Sequence, residues 1–377
     1  MSDLLTLNGR GARSDECQES SWKWQLQNAV TTLDGLEKHL SLTDSEREGA
    51  RRAQAQGFPL SITPHYLKLC DPTDARCPVR RQVVPVALEA ERVDGDLVDP
   101  LGEEAHEPAP DLIQRYPDRA LLLVSDRCSV YCRFCTRSRM VGDGGGPRSL
   151  DRLAPALAYL REHPAIRDVI VSGGDPLVMS TDRLVRILQA VRDIPSVETI
   201  RLATRVPATL PQRIDTELLE ALRPLHPLWV MTHFNHPKEL TVESRRALNL
   251  LADYGFPVMN QSVLLAGIND VPAVLEQLFR GLVRERVRPY YLLQADPVGG
   301  TAHLRTPLSV GVELIDALQG KLSGIALPKF IVDTPGGFGK VPAGPSYVVS
   351  RSPGRTRFRS PRGIEVDYVD PPIDLGG

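Results

Sequence analysis

The sequence predicts an α/β fold in which six β-strand-then-α-helix units curl into a partial barrel. Short apolar runs rich in β-branched residues alternate with longer segments whose pattern is helical. Strands and helices that alternate in this way are typical of a parallel sheet with its helices outside. In such barrels the reactive side chains gather at the carboxyl ends of the strands. We therefore expect the functional residues on the loops that follow strands.

An accessory region, residues 1–110, precedes the barrel. The stretch Thr43 to Glu46 is a capping box that begins a helix. Gly57 can end this helix, and Pro59 blocks its continuation. The segments that follow are punctuated by proline and carry no recognisable chemistry. The sequence thus predicts a helical extension before the barrel.

The barrel itself is predicted for residues 111–325. Its strands are expected at residues 120–124, 168–172, 199–204, 228–234, 258–265 and 290–296. Its helices are expected at residues 150–162, 181–192, 216–225, 242–254 and 271–285. The remaining residues, 326–377, are expected to hold a glycine-rich segment and a hairpin. In that hairpin, cross-strand ion pairs are favoured over a basic patch for an acidic partner. The charged residues concerned are Arg355, Arg357, Arg359, Glu365 and Asp367.

Composition limits the partners and the compartment. The chain has 377 residues and a formal net charge of −2, so it offers no bulk attraction to nucleic acid or to an anionic membrane. No apolar run reaches the roughly 20 residues of a membrane-spanning helix, and the first residues lack a signal-peptide pattern. We expect a cytoplasmic protein. Cys17, Cys70 and Cys77 are expected to be free thiols, as is usual in a reducing compartment.

Three cysteines, Cys128, Cys132 and Cys135, follow the first barrel strand with the spacing CxxxCxxC. Three thiolates on one loop can hold an iron–sulfur cluster and leave one iron without a protein ligand. The alternatives are a zinc knuckle without its fourth ligand, or ordinary cysteines, although zinc sites usually pair two C-x-x-C units. The spacing resembles that of the radical S-adenosylmethionine (SAM) superfamily. This resemblance implies a 4Fe-4S cluster whose open iron binds SAM and cleaves it to a radical.

A glycine-rich segment, IVDTPGGFGK, ends at Lys340. It is not a phosphate-binding Walker loop, because Thr334 stands where that loop needs glycine and Val341 where it needs serine or threonine. Glycines let the backbone approach a ring system, and a lysine here can form a Schiff base with pyridoxal phosphate (PLP). The alternative is a glycine-rich turn with a solvated lysine.

A basic pair, Arg115 and Arg119 in RYPDR, lies just before the first barrel strand. Two guanidinium groups can hold a phosphate dianion, and Tyr116 between them can stack on a pyridine ring. Alone, this pentapeptide is weak support for a PLP site.

Several motifs in succession resemble those of the lysine 2,3-aminomutase family. The resemblance runs from about Trp22 to Asp370 and is carried by RYPDRALLLVSDRCSVYCRFCTRSR, VSGGDPL, WVMTHFNHPKEL, NQSVLLAGIND, LLQADPVGGTAHLRTP and FIVDTPGGFGKVP. It implies a partial (β/α)6 radical-SAM barrel followed by a PLP-lysine segment. It also implies an isomerase that moves the α-amino group of L-lysine to the β-carbon, giving β-lysine.

The resemblance further implies a role for each matching residue. The cluster ligands would be Cys128, Cys132 and Cys135. The SAM-binding segment would be Gly173, Gly174 and Asp175. The PLP site would consist of Lys340, Arg115, Tyr116 and Arg119. The substrate contacts would be Arg137 to the carboxylate, with Asp296 and Asp333 to the distal ammonium. Two acids suit lysine or arginine and would repel the distal carboxylate of glutamate.

Partners follow from the same resemblance. Some family members bind zinc at a subunit interface through a cysteine cluster near the C-terminus, whereas no cysteine follows Cys135 here. Any homo-oligomer is therefore expected to lack interface zinc. An electron donor such as flavodoxin or ferredoxin is expected. The alternatives are a 2,3-aminomutase for arginine or glutamate, or a non-catalytic iron–sulfur regulator, which would not need Lys340, Asp296 or Asp333.

Overall fold

The structure, a computed structural model, describes residues 21–56, 59–142 and 145–371. The expected helix end at Gly57 and the thiol of Cys17 lie outside these residues. Cys70 and Cys77 are buried and form no disulfide. No helix in the described ranges has the length and hydropathy needed to cross a membrane.

A sheet of nine strands, in the order β1 to β9, forms the body of the protein. Its strands are β1 Leu112–Tyr116, β2 Arg119–Leu123, β3 Asp168–Ser172, β4 Thr199–Ala203, β5 Leu228–Thr232, β6 Val258–Leu264, β7 Arg288–Gln294, β8 Lys329–Thr334 and β9 Gly339–Pro342. Strands β2 to β8 are parallel, and the edge strands β1 and β9 are antiparallel to their neighbours. The α/β partial barrel is confirmed. After the six expected strands, β8 adds a further parallel strand, and the division at residue 325 stays a proposal.

Helices cover the outer face of the sheet. The main barrel helices are Leu150–Glu162, Thr181–Arg192, Thr216–Leu222, Val242–Asp253, Pro272–Arg284 and Leu308–Leu318, with a short one at Val206–Thr209. Their apolar faces pack on the strands, and residues such as Val171, Ile200 and Leu292 are fully buried. Packing is close enough that a Cβ at Gly311 would lie 2.0 Å from the ring of Phe330 in β8. The core between helices and sheet therefore holds the strand ends in fixed positions.

The accessory region contains the helices Trp22–Gln27, Leu33–Glu37, Asp44–Gln56 and Pro64–Leu67. The capping box is confirmed: Thr43 Oγ1 accepts from the Glu46 amide at 3.2 Å, and Glu46 accepts from the Thr43 amide at 2.8 Å. Glu46 also forms a buried ion pair with Arg80 at 2.8 Å. Removing either partner would leave an uncompensated buried charge, so this pair ties the helix to the rest of the region.

The two edges of the sheet meet at a seam between β1 and β9. The backbone amide of Lys340 donates to the hydroxyl of Tyr116 at 2.9 Å. Beside it, Arg115 of β1 donates to Asp333 of β8 at 3.0 Å. The seam nearly closes the barrel and brings the RYPDR segment against the glycine-rich segment.

A strap, residues Asp96–His106, crosses the carboxyl ends of the strands. The amide of Leu97 donates to the carbonyl of Pro297 at 2.8 Å, after β7. The carbonyl of Pro100 accepts from the amide of Gly336 at 2.9 Å, after β8. The strap therefore contacts two of the loops on which functional residues are expected.

The C-terminal hairpin belongs to a separate sheet of three strands, β10 Val348–Ser352, β11 Arg355–Arg359 and β12 Glu365–Val369. Arg355 and Arg357 form ion pairs with Asp367 at 2.9 Å and 2.8 Å. The expected cross-strand ion pairing is confirmed.

Candidate active site

Two cavities that share several lining residues lie inside the barrel, one at the carboxyl ends of the strands and one that extends from there along the strands. The first, which we call the cluster cavity, is lined by Cys128, Cys132, Cys135, Gly173 and Gly174, among others. The second, the lysine cavity, is lined by Arg115, Tyr116, Arg119, Asp333 and Lys340, among others. Their shared wall includes Thr136, Arg137, Met231, Gln261 and Asp296. The structure thus brings all the predicted site residues to these two adjoining cavities, and the lysine cavity reaches down to Arg119, the first residue of β2.

The cysteine loop follows β2 and is anchored both to the accessory region and to the barrel helix Val206–Thr209. The amide of Tyr131 donates to the carbonyl of Ser61 at 3.1 Å, and the Ser129 hydroxyl lies 2.8 Å from that of Thr209. Burial raises the pKa of Cys128 above its usual range and that of Cys135 to about 11. Metal binding must therefore deprotonate these thiols.

The three sulfurs line the cluster cavity rather than converge on one point. Within the described residues, no three His, Cys, Asp or Glu side chains are arranged to hold a metal ion. A 4Fe-4S cluster is larger than a single ion, and each of the three thiolates would bind a different iron and leave the fourth open. Three thiolates spaced along one cavity wall fit such a cluster.

Arg205, which sequence reasoning missed, contacts the cysteine loop from the end of β4. Its guanidinium donates to the sulfur of Cys132 and, at 2.9 Å each, to Glu239 and to the Tyr66 hydroxyl. Glu239 is fully buried, so it compensates the buried charge of Arg205. In the sequence, Arg205 is marked only by its position just after a predicted strand.

Gly173 and Gly174 follow β3 and pack against the backbone that leads to Cys128. Gly173 has φ +128°, and a Cβ on it would lie 2.2 Å from the carbonyl oxygen of Ser125. A Cβ on Gly174 would lie 2.3 Å from the carbonyl oxygen of Arg127. Only glycine allows this approach. The segment predicted to bind SAM is therefore held directly against the cysteine loop.

The carboxylate of Asp175, the last residue of that segment, has protein partners. It accepts from the Thr204 hydroxyl at 2.8 Å and from the Arg205 amide at 2.7 Å. Burial raises its pKa to about 6. This carboxylate thus fixes the loop after β4, and its predicted contact with SAM remains a prediction.

The PLP residues predicted from the sequence lie together in the lysine cavity. The ammonium of Lys340 pairs with Asp333, which also accepts from Arg115 Nη2 at 3.0 Å and 3.2 Å. The guanidinium of Arg119 lies 3.9 Å from the centre of the Tyr116 ring. Arg115 and Asp333 were predicted to contact different ligands, but their opposite charges pair across the seam. One amine, two guanidinium groups and an aromatic ring fit a phosphate-bearing pyridine.

The predicted substrate residues lie around the same cavity. Asp296 follows β7 and accepts from the Thr136 hydroxyl at 2.6 Å. Burial raises the pKa of Asp296 to about 6, and the nearby charge of Asp333 acts in the same direction. Arg137 Nε lies 3.0 Å from Glu103 of the strap. Glu103 was also missed, because nothing in its local sequence marks it.

The sequence is similar to two family models and to several known proteins. The Radical SAM superfamily model matches residues 122–278, and a lysine-2,3-aminomutase model matches residues 315–374. The chain is 46% identical to L-lysine 2,3-aminomutase of Clostridium subterminale, over 93% of this chain and 84% of the relative. For the Bacillus subtilis enzyme of the same name the values are 47%, 93% and 74%. For glutamate 2,3-aminomutase of Clostridioides difficile they are 40%, 99% and 87%.

Proposed function

This chain belongs to the lysine 2,3-aminomutase family of radical SAM enzymes, and on that premise we propose that it converts L-lysine to β-lysine. As a family member it is an aminomutase, and the family implies a 4Fe-4S cluster, SAM and PLP as cofactors. The observation that carries the proposal is the presence of Asp296 and Asp333 beside Lys340 in one cavity. An electron donor such as flavodoxin or ferredoxin and a cytoplasmic location remain predictions.

Each cofactor has residues to hold it in this proposal. The cluster would be bound by Cys128, Cys132 and Cys135, and SAM by Gly173, Gly174 and Asp175. PLP would be carried by Lys340 and placed by Arg115, Tyr116 and Arg119. When bound, the cluster and SAM supply a radical that takes hydrogen from the β-carbon, and PLP supplies the double bond across which nitrogen moves. The two cavities share lining residues and therefore adjoin, which supports direct access of that radical to the substrate.

The substrate would be oriented by charges at its two ends. Arg137 would hold the carboxylate, while Asp296 and Asp333 would hold the distal ammonium. A buried ammonium needs such acceptors, because an unpaired charge costs several kcal/mol in a dry site. Glutamate is the second candidate, since a relative of that activity is 40% identical. Its distal carboxylate would face the two acids and be repelled, which supports lysine.

Product analysis tests the proposal. The reconstituted protein would be incubated anaerobically with SAM, dithionite, PLP and one of three substrates, L-lysine, L-arginine or L-glutamate. We expect β-lysine from lysine and little product from the others. Formation of β-glutamate or β-arginine without β-lysine would contradict the proposal.

Removing one acid should weaken lysine turnover strongly. We expect Asp296→Asn or Asp333→Asn to lower kcat/KM for lysine by a factor of about ten to a thousand, a loss of about 1.5 to 4 kcal/mol in charge-assisted hydrogen bonding. Asp296→Asn is the cleaner variant, since Asp333 also pairs with Arg115 and Lys340. Norleucine, which lacks the ammonium, should be a poor substrate and lose little further. Unchanged lysine turnover in both variants would mean that the acids do not contact the substrate.

Lysine binding should also depend on pH through Asp296. Because the pKa of this carboxyl is raised to about 6, it gains a proton as the pH falls through about 6 and loses the charge that attracts the ammonium. We expect the affinity of the PLP-loaded protein for lysine to fall on the acid side of that value. Titrations by PLP absorbance, from mildly acidic to neutral pH, check this. The step should be missing in Asp296→Asn, and its persistence there would assign it to another group.

A further inference from the structure

Glu103 is a buried acid on the strap at the wall of the lysine cavity. Its side chain is 3% exposed, and it pairs with Arg137 at 2.6 Å through Nη2. Nε of Arg137 lies 3.0 Å and 3.1 Å from the two oxygens of the same carboxylate. This is a two-point contact between a planar guanidinium and a carboxylate, which fixes direction as well as distance.

The contact with Glu103 uses the Nε and Nη2 edge of the Arg137 guanidinium and does not use Nη1. A guanidinium carries five N–H donors, and Glu103 accepts one from Nε and one from Nη2. Among the described residues, Nη1 of Arg137 has no hydrogen-bond acceptor. Arg137 lines both cavities, beside the place where substrate is proposed to bind.

The strap holds Glu103 firmly in this position. Arg139 lies 3.4 Å from Glu103 and 3.0 Å from Asp99 of the same strap. At the start of the strap, Asp96 forms an ion pair with Arg305 at 2.5 Å. Between Asp96 and Glu103, the carbonyl of Pro100 accepts a hydrogen bond from the amide of Gly336. Because Glu103 is buried and the strap is held by several contacts, we expect Glu103 to remain paired with Arg137 when the substrate carboxylate binds.

We infer that Glu103 is a positioning residue for substrate recognition. It holds Arg137 by the Nε and Nη2 edge and so presents Nη1 to the α-carboxylate of the amino acid. The inference rests on the proposed role of Arg137. It also makes carboxylate recognition depend on the strap, which belongs to the accessory region and not to the barrel.

Ligand pairs with and without a carboxylate test this. L-Lysine and cadaverine, which lacks the carboxylate, would be titrated into PLP-loaded protein without SAM, and binding followed by the change in PLP absorbance. We expect Glu103→Gln to weaken lysine binding about tenfold, the effect of about 1.4 kcal/mol of lost charge-assisted bonding, and to leave cadaverine within about twofold. KM for lysine should rise more than kcat falls. Glu103→Asp should give a smaller effect and serves if the Gln variant does not fold.

Glu104→Gln is the matched control, because Glu104 is the next residue, its side chain is 74% exposed, and that side chain pairs with Arg139 and not with Arg137. It should behave as the parent. Tighter lysine binding in Glu103→Gln would overturn the inference, since Glu103 would then be a competitor for Arg137. Equal losses for lysine and cadaverine would also overturn it, as the effect would be general loss of structure.

The variant Arg137→Lys separates the proposed role of Arg137 from that of Glu103. If it leaves the ratio of lysine affinity to cadaverine affinity unchanged, the proposed role of Arg137 fails. If it alone shifts that ratio, only the role of Glu103 fails.

Discussion

We expect that replacing Cys132 with alanine will remove the brown colour and the near-ultraviolet absorbance of the cluster, together with SAM cleavage, from a protein that stays folded. One lost thiolate of three leaves a cluster too weakly held to persist. The fold should survive because Arg205, which contacts Cys132, keeps its bonds to Glu239 and Tyr66. Iron and sulfide analysis, absorbance and the release of 5'-deoxyadenosine measure this result.

Cys70→Ala is the matched control for that experiment. Cys70 is a buried cysteine of the accessory region and does not line the cluster cavity. Its variant should keep the cluster and cleave SAM. A Cys132→Ala protein that still binds four irons and cleaves SAM would show that the loop does not ligate the cluster as proposed.

We expect that replacing Lys340 with alanine will stop the rearrangement completely and remove the absorbance of protein-bound PLP. The cluster and its absorbance should remain, because Lys340 lies in the lysine cavity and the cysteines line the other one. Asp333 loses one partner in this variant but keeps Arg115 at 3.0 Å, so its charge stays compensated. Borohydride reduction followed by peptide mapping identifies the lysine that carries PLP.

Lys329→Ala is the matched control for the second experiment. Lys329 is exposed at the opening residue of β8, at the other end of the strand from Asp333. Its variant should bind PLP as the parent does. A borohydride-reducible adduct that persists in Lys340→Ala would instead assign PLP to another lysine, with Lys329 and Lys321 the next candidates.

Regular elements with local signals were predictable from the sequence. The helices Leu150–Glu162 and Thr181–Arg192 have the bounds expected, and for the first the Ser149 side chain caps the amide of Arg152. The edge strand β1 was not expected, since its polar residues Gln114 and Arg115 hide the alternation of a strand. Strand β8 was assigned to the cofactor segment because its apolar run leads directly into the glycines.

In the candidate site, too, residues in compact motifs were predictable and isolated charged residues were not. The cysteine triplet and the lysine after the glycines form compact motifs, and the structure places each on a cavity wall. Arg205 and Glu103 act through ion pairs with Glu239 and Arg137, each separated by 34 residues in the chain. A single charged residue leaves no local pattern that names so distant a partner. Such pairs become visible only when the fold brings the two side chains together.

The seam at the barrel edges also sets an order for assembly of the protein. Tyr116 and Lys340 are 224 residues apart, so their hydrogen bond is among the most non-local contacts of the sheet. Contacts of this kind form late, because a long stretch of chain must be ordered before they are gained. During synthesis all three cysteines emerge long before Lys340. The proposed ligands for iron are therefore complete in a nascent chain that has yet to make its proposed PLP site, and a chain cut short before β9 would carry the first site without the second.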